Sequence, residues 1–254
     1  MAHAQPAQQV EQEIQAHIRH IQYWRFEYSP DDTVFKVQVS QQDSIDNANR
    51  MLLNYLMDAC RKQPQTLKYD FKLPENSDLQ IATSDDKMFR IYSWNILKDT
   101  SVQYYSSVAQ YETSRGVGTS VINNANALDK QAYSGESYLR IYSINGNGRK
   151  YYLPVYKAII SEKDAMNGIA AYYIDGHTLK EADMFKAGEK TVKRIEYNYD
   201  ISANFDLRKM KELSTIYIDK GKLYIPVIDG TKVTGKWLVY NFNGEKFVLD
   251  TNAK

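Results

Sequence analysis

Two near-copies of one phrase carry the residues best suited to hold a ligand. Phe89-Arg90-Ile91-Tyr92-Ser93 returns, with one conservative change, as Leu139-Arg140-Ile141-Tyr142-Ser143, fifty residues on. Apolar and polar residues alternate in each copy beside a turn, which is the pattern of a strand in a hairpin. Successive strand side chains point to opposite faces. Phe89, Ile91 and Ser93 therefore share one face, and Arg90, Tyr92 and Trp94 the other. In the second copy Leu139 and Ile141 oppose Arg140 and Tyr142. Ile91 and Ile141 are thus expected on one side of a sheet, and Tyr92 and Tyr142 on the other. A row of Arg, Tyr and Trp has a definite chemistry, because aromatic faces stack on sugars or other flat ligands and a guanidinium supplies directional donors. Arg90, Tyr92, Trp94, Arg140 and Tyr142 are the expected binding residues on this ground. The same types also build plain structure: tyrosine is a good strand former, and an arginine stem covers apolar surface while its head stays wet.

Catalytic patterns are missing. His17 and His20 stand three apart on an expected helix, a spacing that can gather two metal ligands and that equally describes a solvated helix face. No His-Glu-x-x-His accompanies them; His3 lies in the N-terminal tail and His177 in an expected turn. Cys60 is the only cysteine, so an internal disulfide and a multi-cysteine zinc site are excluded, and its helical context reads as a buried small hydrophobe. There is no Gly-x-Ser-x-Gly elbow, Walker loop or dinucleotide fingerprint, and Gly116-Val117-Gly118 lacks the strand–helix context that gives such glycines meaning. The Asp85-Asp86 turn offers too few oxygens in series for calcium. Glu112, Glu136, Glu162 and Asp164 fall near expected strand ends or loops, and a pair of acids across a cleft is all a glycosidase needs. With 31 acids in the chain, however, chance pairs are expected. No residue is assigned a catalytic or metal-binding role, and no cofactor is expected.

The elements that must position these residues change character along the chain. Val10, Ile14, Ile18 and Ile21 recur at helical spacing. A second helix is expected from Asp43 or Ser44, as N-cap, to Pro64, with Ile45, Ala48, Leu52, Leu56 and Ala59 on one face. Between the two, residues 34–39 alternate as a short extended stretch. From Thr66 the period becomes alternating, and turn signals recur at Ser84–Lys87, Asn145–Gly148, Asp175-Gly176, Lys220-Gly221 and Asn243-Gly244. The expected organisation is an N-terminal helical segment over 1–65 and an antiparallel β domain over 66–254 with roughly ten or more short strands. Residues 113–137 read as a long polar loop and Glu162–Asn167 as one helical turn capped by Ser161.

The fold expected is mainly β, an antiparallel sandwich or strongly curved sheet with two N-terminal helices. A small β-propeller-like repeat is the alternative, because Arg-Ile recurs again in Lys193-Arg194-Ile195-Glu196-Tyr197 at a blade-like interval. That third copy loses the Tyr-Ser ending, no blade signature accompanies it, and the β portion would make only about four blades.

The 32 basic and 31 acidic residues are well mixed and give a net charge of +1, which is not the basic stripe of a nucleic-acid binder. No apolar run approaches the ~20 residues that cross a bilayer. The Ala2-His3-Ala4 pattern matches the residues that precede a signal-peptidase cut, so export is expected with the native signal removed. The stretch Leu79–Trp94, with Tyr151-Tyr152-Leu153 and Ser161–Ala165 after it, resembles uncharacterised exported proteins of Bacteroidetes. Where those relatives often carry a Gly-rich stretch after the Trp, this chain has Ile96–Thr100. The resemblance implies a periplasmic or secreted protein and brings no activity or site residues. The expected function is that of an exported non-catalytic β protein binding a ligand or an envelope partner, a glycan or another envelope protein being the candidates. A glycan-directed hydrolase using paired carboxylates and a structural envelope component are the alternatives.

Overall fold

The computed structural model describes residues 6–29, 39–75, 77–99, 102–126, 135–202 and 216–252. The extended stretch expected at 34–39 lies almost wholly outside them, as does the Ala2-His3-Ala4 pattern. Strands take 49% of the chain, which makes the class mainly β, and two helices precede them. Helix α1 (Ala7–Gln22) ends in a π turn over Tyr23–Glu27; α2 (Gln41–Lys62) is capped by Gln63, and Pro64 opens a short 3-10 turn to Leu67. Ser40, not Asp43 or Ser44, caps α2: its Oγ accepts the Asp43 N–H at 3.2 Å. Asp43 is inside the first turn, where its charge favours the positive end of the helix dipole.

Four strands follow in a meander, β1 (Leu79–Thr83), β2 (Phe89–Asn95), β3 (Tyr105–Thr113) and β4 (Gly116–Asn123), forming one sheet in that order. The chain continues through β5 (Ser137–Gly146), β6 (Arg149–Ile159), β7 (Asp164–Ala170), β8 (Tyr172–Asp175), β9 (Thr178–Glu181), β10 (Phe185–Ala187), β11 (Lys190–Val192) and β12 (Arg194–Asp200). It closes with β13 (Tyr217–Asp219), β14 (Lys222–Asp229), β15 (Lys232–Phe242) and β16 (Phe247–Leu249). The second sheet has the order β12-β7-β6-β8-β9, with β5 also paired to β6; the third runs β11-β10-β16-β15-β14-β13. β10 and β16 run parallel, so the third sheet is mixed. One of the three sheets curls into a half-barrel. These unequal sheets are not the repeated blades of a propeller.

Contacts divide the chain into two compact units: Met1–Ile81 with Lys87–Ser137, and Ala82–Asp86 with Tyr138–Lys254. The helices therefore belong with the first sheet and do not form the separate 1–65 segment expected from the change of period at Thr66. The cause is the shared core. Val10, Ile14, Ile18 and Ile21 from α1 and Leu52, Leu56 and Cys60 from α2 pack with Tyr92, Trp94 and Val108 of β2 and β3. The turn 82–86 goes with the second unit through a parallel bridge from Ser84 to Ile141 and a 2.7 Å Lys150–Asp86 ion pair. That unit has its own core, which includes Leu153, Val155, Ile169, Phe185, Leu223, Ile225 and Phe247.

Two local expectations need correction. β4 occupies part of the expected 113–137 loop; its Gly118 is needed because a Cβ there would come 2.7 Å from the Tyr111 ring. The expected helical turn at 162–167 is mostly β7; Ser161 does cap, its Oγ accepting the Lys163 and Asp164 N–H groups at 3.2 and 2.9 Å, but the chain then enters a ladder.

Candidate functional site

Three of the expected binding residues do not lie on a surface. Arg90, Tyr92 and Trp94 are buried within the first unit, Tyr92 and Trp94 in its core. The alternation misleads because both faces of β2 are buried. Their polar atoms serve the fold. Arg90 donates from Nη1 to the Thr66 carbonyl and from Nη2 to the Tyr69 carbonyl at 2.7 Å, with its guanidinium over the Phe71 and Tyr92 rings. Tyr92 donates to Gln110 Oε1 at 2.9 Å, and Gln110 Nε2 donates to the Cys60 carbonyl and to Thr66 Oγ1, each at 2.8 Å. Trp94 Nε1 donates to Asn49 Oδ1 at 3.0 Å, while Asn49 Nδ2 reaches the Ile45 and Ile96 carbonyls. This is a seam that fastens α2 to the sheet, and it corrects the reading of these three residues as a ligand platform.

Arg140 and Tyr142 fall in the other unit and in another sheet, so the two copies of the phrase do not build one row. Arg140 is exposed and Tyr142 half-buried. Arg140 Nη1 donates to the Tyr142 hydroxyl at 3.1 Å, and the guanidinium lies 5.5 Å from that ring's centroid.

Beside Tyr142 stands an aromatic cluster that the sequence reading missed. The Lys220-Gly221 turn, both residues at positive φ, folds β13 onto β14 so that Tyr217 pairs with Tyr224. Their rings stack at 4.5 Å with 9° between planes. Trp237, opposite Pro226 on β15, meets Tyr217 edge-on at 5.0 Å and Tyr224 at 6.3 Å. Tyr224 sits between Leu223 and Ile225, both core residues, so the alternation turns it to the opposite face. Tyr217, Tyr224 and Trp237 are all half-buried, and β13 is the edge of its sheet. Burial first, then the neighbouring Tyr224, Asp219 and Tyr142, raises the pKa of Tyr217, so its hydroxyl remains a protonated donor. Alongside the Tyr217–Tyr224–Val239 row runs a polar one, Asp219–Lys222–Asn241. The signal for this cluster was the hairpin itself: a two-residue turn fixes the register and puts the tyrosines three places out on each arm opposite one another.

The remaining candidates are held locally. Trp24 Nε1 donates to His20 at 2.9 Å, and His17 packs on Tyr55 at 5.0 Å with its pKa lowered by burial above all. Glu112 pairs with Lys68 at 3.7 Å, buried Glu136 accepts from Asn123 at 2.7 Å, and Asp164 accepts from Ser161 at 2.8 Å. Glu162 stands at an exposed bend before β7. Among the described residues no group of three or more His, Cys, Asp or Glu side chains could hold a metal ion, and no helix is long and apolar enough to cross a membrane.

No protein-family model matches this chain, and no curated protein matches it.

Proposed function

We propose that this chain is an exported, non-catalytic β protein that binds glycans on the face formed by Tyr217, Tyr224 and Trp237. The observation that supports this reading is the clustering of three partly exposed aromatic rings beside the polar row Asp219–Lys222–Asn241. Sugar rings offer apolar C–H faces to aromatic rings and hydroxyls to neighbouring polar groups, so the two rows suit one ligand class. Arg140, held against Tyr142, adds donors at the margin. Export rests on the resemblance of Leu79–Trp94 to exported proteins.

A glycan array followed by calorimetry tests the binding. Trp237→Ala is expected to weaken the best array ligand by about 2 kcal/mol, roughly thirtyfold, as for a central aromatic anchor. Arg90→Lys, in the core of the other unit, is expected to leave affinity unchanged. An array blank for neutral and charged glycans alike, or a Trp237→Ala protein that binds as well as the parent, overturns the reading. Fractionation of the native host tests export separately.

A further inference from the structure

One cation in the second sheet has no hydrogen-bond or ion-pair partner among the described residues. Lys157 lies on β6, opposite Asn167 on β7, which in turn stands opposite Tyr197 on β12. This cross-strand row is flanked on the same face by Val155–Ile169–Ile195 on one side and Ile159–Ala165–Tyr199 on the other. Val155 and Ile169 are core residues, with Ile195 and Tyr197 packed against the same cluster. The amine thus rises from an apolar floor. Asn167 Nδ2 donates to the Tyr197 hydroxyl at 3.1 Å, so these two polar groups engage each other. Among the described residues none forms a hydrogen bond or ion pair with Lys157.

Charged side chains are rarely buried unless paired. Burial lowers the pKa of the Lys157 amine, and among the described residues no carboxylate offsets it. Burial without a partner makes the charged form less favourable relative to the neutral one, and the neutral amine is the nucleophile. The side chain is only half-buried, so a small reagent can reach it.

We propose that Lys157 is a carbonyl-condensing site, an amine set on an apolar strand face that forms imines with small aldehydes and ketones. In the step, the nitrogen lone pair attacks the carbonyl carbon and a C–N bond forms. A proton passes from nitrogen to the former carbonyl oxygen, that oxygen leaves as water with the second amine proton, and a C=N bond remains. One amine and one carbonyl give one imine and one water, with no oxidant or reductant. The site is independent of the glycan-binding face.

The test uses the whole chain with propanal at neutral pH, the imine being trapped by cyanoborohydride and each lysine quantified by peptide mass spectrometry. Lys157 is expected to be alkylated several-fold faster than exposed lysines such as Lys186 and Lys236. Lys157→Met removes that label. Asn167→Asp places a carboxylate opposite the amine, holds it charged, and is expected to bring its rate down to that of the exposed lysines or below. Modification of Lys157 no faster than theirs, or an Asn167→Asp protein that labels as quickly as the parent, overturns the proposal. The second variant keeps the test open if Lys157→Met fails to fold.

Discussion

An arginine on a strand can cover a surface or complete a core, and Arg90 and Arg140 each do one of these. Arg140 donates to a tyrosine two residues along its own strand and remains exposed. Arg90 is buried and spends its planar donors on two backbone carbonyls, those of Thr66 and Tyr69, just where α2 gives way to the sheet. Buried carbonyls need donors, and only a fork can serve two at once while stacking on Phe71 and Tyr92. A lysine keeps the charge but not the fork. Arg90→Lys is therefore expected to lose about 1.5–3 kcal/mol of stability in urea titration, the scale for hydrogen bonds made by a charged group. An unchanged urea midpoint would show that the fork does not hold this junction.

Elements explain why one phrase, used twice, took two structural meanings. Its strand character was legible because alternation and turn residues are local properties. The hairpins at Asn145–Gly148 and Lys220-Gly221 were legible for the same reason: Asn147, Gly148, Lys220 and Gly221 all adopt the positive φ such turns require. Which face meets solvent is not local. β2 is covered on both sides and β5 is not, so equal alternation gave a buried Tyr92 and a half-buried Tyr142. Tyr217, Tyr224 and Trp237 come from three strands, and only pairing brings them together. The helical faces were read almost residue for residue, down to Cys60 in the last turns of α2. Burial pushes the Cys60 thiol from about 9 up to about 12, against hydrogen bonds with Tyr92 and Thr66 and the charge of Arg90, which pull it down. The raised value has a definite sign. Between pH 9 and 12 the unfolded chain releases this proton while the folded chain keeps it, so the stability present below pH 9 is lost as pH rises across that window. The tyrosines with raised values add to the same fall, so the comparison that isolates Cys60 is with Cys60→Ala. That variant is expected to lose stability less steeply over pH 9–12 in urea titrations, and the parent thiol to resist alkylation at pH 8 until the first unit unfolds. Rapid alkylation of the native protein would contradict the buried seam.

At the scale of the whole molecule, two compact units each close around a core of their own, one of helices on a meander and one of two larger sheets. A core is the source of cooperativity, and regions with separate cores open with separate free energies. Gly168 gives a handle on the second unit. It faces Tyr156 across the β6–β7 ladder, and a Cβ at 168 would come 2.5 Å from that ring. Tyr156 is wholly buried and its hydroxyl donates to Glu196 at 2.6 Å, so the ring has no free direction in which to retreat. Gly168→Ala is therefore an overpacking change expected to cost about 1–3 kcal/mol. Its effect should stay within its unit: amide exchange in peptides spanning 151–170 is expected to quicken, while alkylation of Cys60 keeps the parent's urea midpoint. Arg90→Lys supplies the converse, an earlier Cys60 midpoint with exchange over 151–170 unchanged. If either substitution moves both readouts together, the two cores unfold as one, and stability changes made in the helical unit would then reach the aromatic face after all.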